Sequence, residues 1–138
     1  MTLDAGDVFV LRDFSSTGTS PHYRIVVHKT SSSELVLVYP TTKLDKTQKA
    51  CCRDEKFGLS VGIPLTYVEI PPGSCPALVQ ACAVNCNKAY VRTEDECLNG
   101  PDFKLMNGKI HPAIIAKIRD GIKDSDVVSE IVIGALAR

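Results

Sequence analysis

The chain has 138 residues, with 16 Lys and Arg against 16 Asp and Glu, so its formal net charge is zero. That length suits one domain over 1–138, and 44% hydrophobic with 23% charged residues is globular rather than disordered composition. A diffuse polycation and a membrane-spanning helix are both excluded: the charge balances, and the apolar runs fall short of the roughly 18–20 residues a span needs.

The chain opens on Met1-Thr2-Leu3-Asp4-Ala5-Gly6-Asp7, which has neither a basic nor an apolar signal region. A cytoplasmic location is therefore expected. Val8-Phe9-Val10-Leu11 is a β-rich run, and 15–21 is a Ser/Gly/Pro loop. Tyr23 to His28 forms a second strand, and Ser31-Ser32-Ser33 is a tight turn into a third, Leu35 to Tyr39, that stops at Pro40. These two strands are spaced to form a hairpin.

Residues 41–60 are polar and lysine-bearing without convincing periodicity, and they read as a long loop. Strand character returns at Leu65–Ile70, Ala77–Cys86 and Ala89–Val91. The tail is helical: Ile110, Ile114, Ile118 and Ile122 recur at near-helical spacing, with Pro112 in the first turn. Gly121 and Asp124-Ser125-Asp126 break or weaken that helix. Asp124 or Ser125 then caps an extra one over 126–138, whose apolar face is Val127, Val128, Ile131 and Leu136. The expected class is mainly β (α+β), a small curved sheet or barrel closed by one or two C-terminal helices.

Six cysteines (Cys51, Cys52, Cys75, Cys82, Cys86, Cys97) include no CxxC pair, so they read mainly as buried apolar groups. Metal or redox use is the competing reading. Phosphate-loop, dinucleotide, hydrolase-elbow and zincin motifs are all missing. What remains is a polar cluster on the hairpin. Strand alternation puts His22, Arg24, Val26 and His28 on one face, pairing a permanent cation with groups that exchange protons near neutral pH. Thr41 and Thr42 follow at a strand end, where hydroxyls can donate to a phosphate. Residues 12–56 hold eight basic against five acidic residues, a local excess of +3.

Gly6-Asp7-Val8, Tyr23-Arg24-Ile25-Val26-Val27, Val36 to Thr42 with its Pro40-Thr41-Thr42 ending, and Asn107-Gly108-Lys109-Ile110 together resemble the MazF/PemK-like toxin family. The resemblance spans about 6–42 and 107–123, with Ile25 where that family has proline. It implies an SH3-like barrel, a homodimer, and a metal- and cofactor-free endoribonuclease that cuts single-stranded RNA and is held by a cognate antitoxin peptide. The family's catalytic Arg falls on Arg24 and its hydroxyl residue on Thr42, or on Thr41 one register away. RNA supplies its own nucleophile, the 2′-OH. Arg24 would then neutralise the phosphate and Thr42 donate to it, while His22 transfers the proton on the strength of strand alternation. His28, Lys29 and Lys43 are the candidate substrate contacts. The alternative is a non-catalytic barrel module that binds protein or RNA.

Overall fold

The computed structural model describes residues 1–12, 22–54 and 62–138. The 15–21 loop lies outside them, as do 55–60 of the expected long loop. The described residues form eight strands and four helices, in the order β1 (Asp7–Leu11), β2 (His22–Lys29), β3 (Glu34–Val38), β4 (Pro40–Thr41), α1 (Leu44–Arg53), β5 (Tyr67–Ile70), β6 (Cys82–Asn85), β7 (Tyr90–Thr93), α2 (Glu94–Leu98), β8 (Lys104–Lys109), α3 (Pro112–Asp124) and α4 (Glu130–Leu136), with a 3₁₀ turn at Cys86–Lys88. The fold is α+β. Its strands form two antiparallel sheets, one in the order β7-β3-β2-β1-β8 and one in the order β4-β6-β5. No helix among the described residues is long and apolar enough to cross a membrane.

The larger sheet is covered on both faces, which explains its unbroken apolar runs. Ile25, Val27, Val36 and Val38 face one core with Val84, Ile115, Ile118 and Ile122. Phe9, Leu11, Val26, Leu35 and Leu37 face a second core with Leu3 and Cys97. The expected β2–β3 hairpin is present, turning through Ser33 at φ 61° with Thr30 N–H donating to Glu34 O at 2.9 Å. Strict alternation along β2 fails near its end. A register shift between Val26 and His28 sets His28 opposite Val36, a residue of the first core, so His28 leaves the face of Arg24 and Val26.

Three further expectations are corrected. The stretch 41–60 contains α1, whose buried residues are Thr47 and Cys51, so no aliphatic stripe marks it. Of the expected 77–86 strand only Cys82–Asn85 is β-structure, and α2 and β8 go unforeseen. Gly121 does not break α3: it is buried inside a helix that runs on to Asp124, where Ser125 caps the C-terminus. The last helix is capped by Ser129 and buries Val132, Ala135 and Leu136, while Ile131 stays 70% exposed.

Cys51, Cys75, Cys82, Cys86 and Cys97 are buried free thiols and Cys52 is exposed. Burial chiefly pushes the Cys86 thiol up to about 12 and the Cys97 thiol to about 11, so both stay protonated and inert.

At the start of α2, Glu94 ties the chain's beginning to the sheet. Its Oε2 accepts from Leu3 N–H at 2.7 Å and from Lys29 Nζ at 2.7 Å. The Leu3 hydrogen bond first, then Lys29, hold the carboxyl below its ordinary range. A depressed folded-state pKa gives stability that is present above the unfolded value and lost as the pH falls through the folded one. Glu94→Gln is therefore expected to lower the melting temperature at pH 7. Thermal melts across pH should show that difference from wild type closing below the ordinary carboxylate range.

Candidate functional site

Arg24 enters β2 among apolar neighbours and is fully buried. Its Nη1 donates to Leu11 O at 2.6 Å and to His22 O at 3.2 Å, and its Nε donates to Tyr90 Oη at 2.7 Å. The guanidinium also sits 5.3 Å from the Tyr39 ring centre. Tyr39 stacks on Tyr90 at 5.1 Å, and Arg92 covers the Tyr90 ring at 5.2 Å. Burial, with a hydrogen bond to Tyr39, holds the Tyr90 phenol well above its ordinary value against the opposing pull of Arg24. Among the described residues, Arg24 Nη1 and Nε thus donate to backbone carbonyls and a neutral phenol inside the protein.

The other expected site residues separate. His22 is exposed at the start of β2, and it is its carbonyl that Arg24 engages. Lys29 is committed to Glu94. His28, displaced by the bulge, lies near Arg119 and Lys123 of α3; burial first, then those two charges, lower its pKa. The shared face expected for His22, Arg24, Val26 and His28 is therefore broken at His28.

Thr41 and Lys43 do come together. They line a pocket of about 270 Å³ between β4, α1 and the 3₁₀ turn, with Tyr39, Lys46, Asn85 and Lys88. Thr42, exposed, is the residue between them and does not line the pocket. Lys43, Lys46 and Ala50 fall on one face because α1 is a helix, in which positions three, four and seven apart are neighbours. Lys88 arrives from the 3₁₀ turn that Asn85 caps, its Oδ1 accepting from Asn87 N–H at 3.0 Å.

Among the described residues none of the three lysines forms an ion pair. Thr41 Oγ1 accepts from Lys43 N–H at 3.2 Å, which leaves its own proton free to donate. The Thr47 proton is spent on Lys43 O at 2.7 Å. Lysine stems and Tyr39 make the walls greasy while the ammonium ends bring positive charge. Such a pocket suits an anionic group attached to a flat or apolar body.

Sequence reasoning missed Lys46, Lys88, Asn85 and Tyr39 as members of one site. The i, i+3 spacing of Lys43 and Lys46 was a usable signal once α1 was recognised. Lys88 carried none, since only the pairing of β4 with β6 brings its turn alongside. No protein-family model and no curated protein matches the chain.

Proposed function

We propose that the protein is an RNA-binding module that holds the backbone of a single strand at the Lys43–Lys46–Lys88 pocket. The observation that carries this is three unpaired lysines and a free threonine hydroxyl around one small pocket with an aromatic wall. Lysines contribute sequence-independent phosphate attraction, and Tyr39 gives the pocket an aromatic wall for a base. The local +3 of residues 12–56 lies on the segment that supplies two of the lysines.

Binding of a fluorescent single-stranded RNA, followed by anisotropy at several salt concentrations, tests the reading. Single-strand binding weakens with log salt at a slope of about −0.7 per neutralised phosphate. The Lys43→Gln/Lys46→Gln/Lys88→Gln variant is expected to bind at least about tenfold more weakly at low salt, with a slope flatter by about 1 to 2. All three side chains point to a pocket rim outside the core, so the variant should melt like wild type. Equal affinity and slope would sink the proposal.

A second reading adds cleavage: a cytoplasmic, metal-independent endoribonuclease toxin with an SH3-like barrel, a homodimer restrained by an antitoxin peptide. It rests on the resemblance at 6–42 and 107–123, and on the contiguity of Arg24, Tyr39 and Thr41. It requires Tyr39 and Tyr90 to part from Arg24 when substrate arrives. RNA cleavage in EDTA, compared with Thr41→Ala and Thr42→Ala, tests it without disturbing the core. Intact RNA after incubation with wild type removes this reading and leaves the binding module standing.

A further inference from the structure

The smaller sheet leaves one edge open. In its order β4-β6-β5, the strand β5 has a neighbour on one side only. The pairing fixes which of its backbone groups face the open side. One step beyond the Tyr67–Asn85 pair, Cys86 N–H donates to Thr66 O at 2.8 Å, so Thr66 and Cys86 are a hydrogen-bonded pair. In an antiparallel ladder such pairs alternate with non-hydrogen-bonded ones. Val68 and Ile70 therefore point their N–H and C=O at β6, while Tyr67 and Glu69 turn theirs outward. Tyr67 N–H is spent on Pro64 O at 3.0 Å. The Tyr67 carbonyl and both backbone groups of Glu69 are left on the edge.

That edge borders a groove. Tyr67, Val68 and Glu69 all line a cavity of about 370 Å³, together with Lys117 and Asp120 of α3. Consecutive strand residues point to opposite faces, so three in a row border one cavity where it runs along the strand's edge. Ile63 and Leu65, each 64% exposed, supply its apolar wall. Its charges are two carboxylates, Glu69 and Asp120, against Lys117. Among the described residues none of these three forms an ion pair. Pro64 before β5 and Pro71 after it confine the open edge to a few residues. Two independent features therefore meet here: a strand edge with free backbone groups and an acid-rich wall with exposed aliphatic side chains.

We propose that this groove takes a short extended peptide, basic and aliphatic in composition, which adds to β5 as a fourth strand of the smaller sheet. Strand addition supplies the missing partners. Peptide amides donate to Tyr67 O and Glu69 O, and a peptide carbonyl accepts from Glu69 N–H. Lysine or arginine side chains of the peptide meet Glu69 and Asp120, and an aliphatic one covers Ile63 and Leu65. A second copy of the chain fits worse, because its own β5 and α3 would bring Glu69 and Asp120 against their like. The groove shares no residue with the lysine pocket, so the inference stands whether or not that pocket binds RNA.

The test is a titration of the full chain with a fluorescein-labelled hexapeptide of alternating lysine and valine, followed by anisotropy and by the backbone ¹H–¹⁵N resonance of Glu69. Saturable binding with a shift of that resonance is expected, and an alternating glutamate and valine peptide should bind at least tenfold more weakly. N-methylation separates strand addition from charge alone. Methylating one set of alternate peptide amides should cost at least tenfold, and methylating the other set should be tolerated, because only one set faces β5. Glu69→Pro removes an edge donor that β6 does not use, so it should abolish binding while β5 stays paired. Should that variant unfold, Asp120→Lys, at an exposed position of α3, is expected to weaken the lysine and valine peptide at least tenfold at an unchanged melting temperature. A Glu69 resonance that never shifts overturns the proposal, as does binding that Asp120→Lys leaves intact. So does equal binding of the two methylated peptides. Self-association of the chain that Glu69→Pro abolishes would also overturn it, by giving the edge to a second copy.

Discussion

Arg24→Ala is expected to destabilise the protein by about 4 kcal/mol, the largest effect of any single substitution proposed for this chain. The side chain is fully buried, and its removal takes a donor from Leu11 O, His22 O and the Tyr90 hydroxyl together. Each buried polar group left unsatisfied costs about 1–3 kcal/mol, and the emptied volume adds a cavity penalty. Against a total stability of about 5–15 kcal/mol, that loss is large. Urea unfolding measures it directly. Arg24→Lys should fall between the two, because one ammonium cannot span three acceptors held in a planar fork's geometry. A midpoint for Arg24→Ala close to wild type would mean that the guanidinium is not structural. The consequence for functional assays is direct: an inactive Arg24→Ala protein reports a lost fold unless its unfolding curve says otherwise.

Gly121→Ala is expected to cost about 2 kcal/mol, although it replaces a poor helix former with the best one. Intrinsic propensity favours alanine by about 1 kcal/mol in a helix interior. Sterics oppose it. A Cβ at this position would stand 2.5 Å from Leu65 O, 2.7 Å from Cys86 Sγ and 3.3 Å from Cys86 Cβ. Neither a backbone carbonyl nor a core thiol can swing aside, so α3 would have to lift from the 3₁₀ turn. Overpacking of this kind costs about 1–3 kcal/mol and outweighs the propensity gain. Thermal unfolding of the single variant, and of Gly121→Ala with Cys86→Ala, separates the causes. Partial rescue in the double variant is expected because the thiol is one of two obstacles. A stabilised Gly121→Ala protein would refute the close approach.

That glycine also shows where sequence reasoning reached its limit. Composition marks Gly121 as a helix weakener, whereas its purpose is contact between α3 and residues that lie far away along the chain. The first three strands were legible because β-branched and aliphatic residues fill them continuously. The Ile stripe of α3 was legible because it repeats at helical spacing. α1 was hidden because Thr47 and Cys51 do the work that leucines usually do. For α2 a local signal existed and went unused: Thr93 and Glu96 form a reciprocal capping box. β8 reads KLMNGK, a largely exposed edge whose Asn-Gly suggests a turn.

The candidate site was half legible. Of the two threonines the strand-end argument named, Thr41 lines the pocket with Lys43 and Thr42 does not, and the pocket needed α1 and the β4–β6 pairing to exist. The histidine-flanked arginine was not legible, because period-two counting cannot foresee a bulge. Nor can it tell an exposed arginine from one folded back onto its own strand's carbonyl.

The two cores that sandwich the larger sheet have a consequence for fidelity of folding. A sheet with one wet face can be misthreaded by a residue and still find somewhere tolerable for half of its side chains. Here a slip of β2 by one position would push Arg24 among the isoleucines of α3 and send Ile25 to the Leu11 carbonyl and the Tyr90 hydroxyl that await a guanidinium. Both layers reject the error, one for lack of hydrogen bonds and the other for the charge it would receive. The central strand is in effect proofread from two sides.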